Sequence, residues 1–201
     1  MGYLISCHFT QHRPHVTSVR PALPGSIGFR VYRHKTLPLF AIDTWRATKP
    51  SRYPFTAATP ATDLPLELPE RLASLSAIYE HLQQQGGANG LKRSYINLSA
   101  MLSNALEQPV LSVYADDDGN DFACLAEQGT LTSLVAKCGE FVVRVEPGSD
   151  ARLEQEANPP GLHALAARHL QASFGIAGSE IGLGSFDPPE DFGFVEFDAD
   201  A

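Results

Sequence analysis

The sequence lacks the long apolar run that a membrane-spanning helix requires, since no stretch approaches the length needed to cross a bilayer. The opening MGYLISCHF has neither a basic region nor an extended apolar region ahead of Cys7, so it does not fit a cleavable signal. Charged residues make up only 19% of the chain, which argues against a disordered or coiled-coil protein. We therefore predict a globular, cytoplasmic protein.

Cysteine is also scarce, with only Cys7, Cys124 and Cys138 in the chain. This is an odd number, and the spacing is not typical of a metal site, which suits a reducing compartment. We predict free, buried thiols. A bridge between Cys124 and Cys138 across adjacent strands is the alternative.

The short motifs of common catalytic sites are missing from the sequence. It contains no G-x-S-x-G elbow, P-loop, H-E-x-x-H or paired C-x-x-C. The glycine-rich run GIAGSEIGLGS follows a helical pattern and leads into an acidic segment, whereas a dinucleotide-binding loop follows a strand and opens a helix. We accordingly predict no catalytic residue, no metal and no cofactor, although residues distant in sequence could still meet in space.

What the sequence does contain is the pattern of an α+β protein. Its 201 residues, 43% of them apolar, predict one domain over 1–201 with a mainly antiparallel sheet and about three helices. We expect four segments along the chain: N-terminal strands over 3–47, an extended proline-rich crossover over 48–69, helices and a strand meander over 70–146, and a C-terminal helix with an acidic tail over 160–201.

Finer periodicity places the elements inside these segments. Apolar residues at helical spacing predict helices over about 70–85, 93–107 and 160–174. Short apolar runs separated by glycine turns predict four strands over 110–146, with Pro147-Gly148 closing the sheet. Residues 27–47 predict a hairpin, and the prolines of residues 11–26 predict a loop.

Charge is distributed unevenly along the chain. Residues 1–60 hold eight basic residues and one acidic residue, a net charge of +7, whereas the remainder holds seven basic and 22 acidic residues, a net charge of −15. The overall charge of −8 argues against nucleic acid as the main partner. A basic protein is the natural complement.

The stretch VYADDDGNDFACL, residues 113–125, places four acidic residues and an asparagine around one glycine. Its residues partly match the calcium-loop pattern, but Asp121 stands where that loop requires glycine, and the flanks read as strands rather than helices. We therefore predict the tip of a β-hairpin. Because clustered carboxylates repel one another unless solvent or a partner's cations offset them, we also predict that Asp116, Asp117, Asp118 and Asp121 contact a basic partner.

A second candidate contact surface lies in the tail SFDPPEDFGFVEFDADA, where aromatic and acidic residues are interspersed. Aromatic anchors amid negative charge suit a basic protein partner. The alternative is a last strand packed on the sheet, with a frayed acidic end. The predicted contact residues in this tail are Glu190, Asp191, Phe192, Phe194, Glu196 and Asp198.

The N-terminal stretch CHFTQHRPH brings Cys7, His8, His12 and His15 close in sequence. It is the basis of a rival prediction, a small metal-dependent or hydrolytic enzyme. However, Cys7 and His8 are neighbours in a predicted strand, so their side chains should point to opposite faces. We therefore favour the interpretation that these histidines are scattered structural or surface residues rather than a metal site.

The block SYINLSAMLSNALEQPVLSVYADDDGNDFACLAEQGTLTSLVAKCGEFVVRVEPG, residues 94–148, resembles the immunity proteins of bacterial toxin-immunity systems. The resemblance lies in the order of helix, strand, acidic turn, strand, glycine turn and strand, and it covers about a quarter of the chain. In particular, it is similar to the immunity family that accompanies restriction-endonuclease-like toxins.

This resemblance implies a non-enzymatic protein that binds a cognate toxin, with a nuclease as the expected toxin class, and occludes its active site. The toxin would be basic, and no nucleic acid or membrane would take part. Besides the rival enzyme, a non-catalytic scaffolding subunit is a further alternative. The oligomeric state does not follow from the sequence.

Overall fold

A computed structural model describes residues 4–23, 27–46, 73–86, 91–116, 119–155, 163–183 and 192–197. Within these ranges the chain forms nine strands, four α-helices and a 3-10 helix at Gly178–Ile181. The strands are β1 (Leu4–Thr10), β2 (Ile27–His34), β3 (Phe40–Arg46), β4 (Val110–Asp116), β5 (Asp121–Glu127), β6 (Thr130–Cys138), β7 (Phe141–Val145), β8 (Arg152–Gln155) and β9 (Phe194–Glu196). The helices are α1 (Val16–Ala22), α2 (Ala73–Gln84), α3 (Arg93–Leu106) and α4 (Ala164–Phe174).

All nine strands belong to one sheet with the order β8-β7-β6-β5-β4-β1-β3-β2-β9. Every neighbouring pair is antiparallel. β1 therefore lies inside the sheet, between β4 and β3, and joins the meander β4 to β8 to the strands β3, β2 and β9. The predicted α+β class with an antiparallel sheet is confirmed, and the sheet dominates the fold.

The two faces of the sheet are covered by different helices. Along β1, the side chains of Ile5, Cys7 and Phe9 join a core cluster that includes Leu165 and Leu170 of α4. The alternate residue His8 faces Tyr95 of α3 instead. Helices α1, α2 and α3 pack on that second face through two further apolar clusters. Strand alternation thus divides the core into two layers, one on each side of the sheet.

Most predicted elements are confirmed with small shifts of their ends. The meander has its four strands, the hairpin over 27–47 forms β2 and β3, and the three predicted helices correspond to α2, α3 and α4. The predicted crossover over 48–69 lies outside the described residues.

Two predictions of local structure are wrong. Residues 11–26 were expected to form only a loop, but α1 occupies Val16–Ala22, with Pro21 inside the helix and Val19 fully buried against the α3 layer. The sheet was expected to close at Pro147-Gly148, but a turn bonded from the Ser149 N–H to the Glu146 carbonyl leads into an additional strand, β8. Tertiary packing outweighs the local proline signal in the first case.

Candidate functional site

The acidic stretch at residues 113–125 forms a β-hairpin between two interior strands of the sheet. β4 ends at Asp116 and β5 begins at Asp121, and Ala115 is paired with Asp121. Gly119 returns the chain with a φ of 86°, a left-handed conformation that favours glycine. The hairpin prediction is confirmed. The calcium-loop alternative is wrong, because strands rather than helices flank the turn.

Asp121 does not lie on an exposed tip. Its side chain is buried, and its two carboxylate oxygens accept hydrogen bonds from the backbone N–H groups of Leu165 and Ala166, at 2.8 and 2.9 Å. Burial raises the pKa of Asp121 to about 6, although these two bonds and the charge of Lys137 favour the ionised form. The predicted partner contact at Asp121 is therefore corrected. This residue anchors the base of the turn to the first turn of α4.

Asp117 and Asp118 lie outside the described residues, as does the side chain of Asp116. The ammonium groups of two lysines lie near the hairpin. A Cβ atom placed on Gly119 would lie 3.7 Å from Nζ of Lys137, and Nζ of Lys92 lies 4.1 Å from the ring centroid of Tyr114 in β4. The charge of Lys137 favours the ionised form of Asp121, the acidic side chain of this stretch that the structure describes.

The C-terminal segment adds the edge strand β9 beside β2, as the alternative interpretation of the tail predicted. Phe194 is 4% exposed and packs against Phe9 and edge-on against His34, with ring centroids 6.1 and 4.9 Å apart. Phe192 is 7% exposed. The predicted aromatic anchors are therefore core residues, and their assignment as partner contacts is corrected.

Of the acidic residues predicted in this tail, Glu196 is exposed and lies 3.5 Å from the guanidinium of Arg30 in β2. Its neighbour Val195 is one of the more exposed large apolar residues. Glu190, Asp191 and Asp198 lie outside the described residues.

The N-terminal histidines are not brought together. His8 is fully buried, with Nδ1 2.5 Å from Oγ of Ser112 and Nε2 3.3 Å from Oγ1 of Thr44. Burial lowers the pKa of His8 to about 3, so its ring is neutral at physiological pH. His12 and His15 are exposed. Among the described residues, no group of three His, Cys, Asp or Glu side chains is arranged to hold a metal ion.

The three cysteines are free and buried, as predicted. Burial raises the pKa of Cys124 and of Cys138 to about 12 and that of Cys7 well above its usual value. A bridge between Cys124 and Cys138 does not form. Cys124 is paired across the sheet with Leu134, and Cys138 with Phe141. Thiols in this state are poor nucleophiles.

Sequence reasoning missed a buried carboxyl group in the β2–β3 hairpin. Asp43 is 7% exposed and lies directly opposite Arg30 in the strand register. Burial raises the pKa of Asp43 to about 7, although the charge of Arg30 and the backbone N–H of Thr44 favour the ionised form. An aspartate within the apolar run AIDTW was the available signal for this buried carboxyl.

Comparison of the chain with protein-family models, with curated proteins and with solved structures finds no match. Within the described residues, no helix is long and apolar enough to cross a membrane. The immunity-protein interpretation stays a prediction, and the acidic hairpin is the feature that supports it.

Proposed function

We propose that this protein is a cytoplasmic immunity protein that binds a cognate bacterial toxin, in the first place a nuclease, and occludes its active site. The observation that carries the proposal is the acidic turn at the end of the β4–β5 hairpin. Asp116, Asp117 and Asp118 are the contact residues at this turn. Asp121 is excluded from the contact set because it is buried.

The frame of the turn is fixed on both sides. β4 is paired with β1 from Leu111 to Asp116, and β5 is paired with β6. Asp121 then bonds the base of the turn to α4. Flanking strands that are ordered before binding reduce the conformational entropy lost when the complex forms, so more of the interaction energy appears as affinity.

Charge makes a nuclease a suitable target. A nuclease presents cationic groups to the phosphates of its substrate, and three consecutive carboxylates oppose them. Such complementarity mainly raises the association rate and depends on ionic strength. Glu196 and Val195 at the sheet edge are further exposed positions from which the contact could extend.

The proposal is tested by capture and neutralisation together. The tagged protein is used to capture partners from the source lysate with a rising salt gradient, and each captured protein is expressed alone and with this chain. We expect one basic protein that arrests growth when alone and is harmless when co-expressed. The proposal is abandoned if no captured protein is toxic, or if co-expression does not restore growth.

Neutralising the turn is expected to slow association with that toxin. The triple variant Asp116→Asn, Asp117→Asn, Asp118→Asn should lower the association rate constant by roughly tenfold or more at low salt, with a weaker salt dependence. Stopped-flow or surface plasmon resonance measures both quantities.

The matched control removes the same charge elsewhere. Glu80, Glu127 and Asp150 are exposed and lie outside this turn, so Glu80→Gln, Glu127→Gln, Asp150→Asn alters the net charge equally. Equal rate losses in the two triple variants would show that net charge, rather than the turn, governs association.

A further inference from the structure

A groove of about 430 Å³ lies between the second half of α4 and strands β5, β6 and β7. Its apolar lining includes Leu125, Val135 and Ala172, and its polar lining includes Ser133, Arg144, Glu146 and His169. None of these residues belongs to the acidic turn. An apolar concavity with a few convergent polar groups is the usual form of a small-ligand site.

Two of the polar groups contact each other across the groove. Oγ of Ser133 in β6 lies 3.0 Å from Nε2 of His169 in α4. Burial and then the positive charge of Arg144 lower the pKa of His169 to about 4. The imidazole is therefore neutral at physiological pH. Because it is a weak base, we assign it a role in positioning Ser133 rather than in activating Ser133 as a nucleophile.

Arg144 supplies a cation to the groove. Its Nε–H donates to Oε2 of Glu154 in β8 at 3.0 Å, and Arg152 lies directly opposite Arg144 in the strand register. The side chains of Arg144 and Glu154 are 32% and 44% exposed. An ion pair at this exposure contributes little stability, so an incoming carboxylate competes with Glu154 at small cost.

We propose that this groove binds a carboxylate that carries an apolar body. The planar guanidinium of Arg144 matches the geometry of a carboxylate and forms strong charge-assisted hydrogen bonds with it. The apolar body packs against Leu125, Val135 and Ala172. The contacting side chains of Ser133 and His169 form the polar wall of the groove next to these apolar residues. Such a carboxylate belongs either to a free small acid or to the C-terminus of a peptide.

The test uses the isotope-labelled full-length protein and matched pairs of probes. Phenylbutyrate and phenylbutyramide share one apolar body, and a short apolar peptide is compared in its free-acid and C-terminally amidated forms. We expect each acid to shift the NMR signals of Ser133 and His169, and to bind at least roughly tenfold more tightly than its amide. Whichever acid binds more tightly identifies the source of the carboxylate.

Two substitutions are expected to act in opposite directions. Arg144→Gln should weaken acid binding by roughly tenfold, whereas Glu154→Gln removes the internal competitor and should tighten it several-fold. Arg33→Gln and Glu140→Gln, at exposed positions that do not line the groove, are the controls. Thermal melts identify any variant that fails to fold. If Arg144→Gln does not fold, Glu154→Gln still tests the proposal, because this variant retains Arg144.

The proposal is overturned if acid and amide bind equally, since the groove would then recognise only the apolar body. It is also overturned if neither acid shifts the Ser133 and His169 signals at about 10 mM, a concentration that reveals even millimolar affinity.

Discussion

Asp43→Asn is expected to stabilise the protein by about 4 kcal/mol near pH 8 and to have little effect near pH 4. The pKa of Asp43 rises from 3.8 to about 7 on folding, because burial opposes ionisation more strongly than Arg30 favours it. Between these values the folded state binds more protons than the unfolded state, so stability is lost as pH rises through this window. Asparagine has nearly the same shape and carries no charge to bury.

Urea denaturation across the pH range measures this effect. Asp150→Asn is the matched control, because Asp150 is exposed and the free energy of unfolding should change by no more than about 0.5 kcal/mol. A destabilised Asp43→Asn variant at high pH would mean that the contacts of the ionised carboxylate outweigh the cost of its burial.

His8→Leu is expected to destabilise the protein by roughly 3 kcal/mol near pH 7, because it leaves the buried hydroxyl groups of Ser112 and Thr44 without their imidazole partner. This cost should nearly vanish near pH 4. The pKa of His8 falls from 6.5 to about 3 on folding. In that window only the unfolded state takes up a proton, so the wild type loses up to about 1.4 kcal/mol per pH unit as the solution is acidified. Leucine has no such proton to take up.

The control for His8 is His12→Leu, which replaces an exposed imidazole close by in the chain. Because this ring is exposed, its replacement should change the free energy of unfolding little. If the cost of His8→Leu were the same at about pH 4 and pH 7, protonation of His8 would not be linked to unfolding.

These two buried groups oppose each other in the wild type. Acidification from about pH 6.5 to 4 weakens the fold through His8 and strengthens it through Asp43. The wild-type stability curve should therefore be shallower than that of either variant. Asp43→Asn should reveal the pH dependence of stability that is due to His8, and His8→Leu should reveal the pH dependence that is due to Asp43.

The meander could be predicted from the sequence because its signals are local. Its strands are short apolar runs, and Gly119, Gly129 and Gly139 in the joints all adopt positive φ values. Helix α1 could not be predicted in this way. It has seven residues, contains Pro21, and owes its stability to the burial of Val19 in a cluster shared with α3.

The roles of Asp121 and of the tail phenylalanines depend on partners that are distant in sequence. Asp121 bonds to backbone groups at Leu165 and Ala166, and no pattern within residues 113–125 indicates this. Phe194 lies in a tail that mixes aromatic and acidic residues, as an exposed anchor would, but its pairing with His34 of β2 places it on the buried side of the sheet. The charge of the acidic turn could be predicted from the sequence, whereas the buried position of Asp121 could not.

The position of β1 inside the sheet has a consequence for folding kinetics. The meander β4 to β8 joins strands that are consecutive in the chain, but β1 pairs with β4 through residues as distant as Leu4 and Asp116. Closing so long a loop costs entropy that local hairpins do not. We therefore expect the meander to form first and β1 to dock late. Pulse-labelled hydrogen exchange should then detect protection of the β5 and β6 amides before protection of the β1 amides. Simultaneous protection would contradict this order.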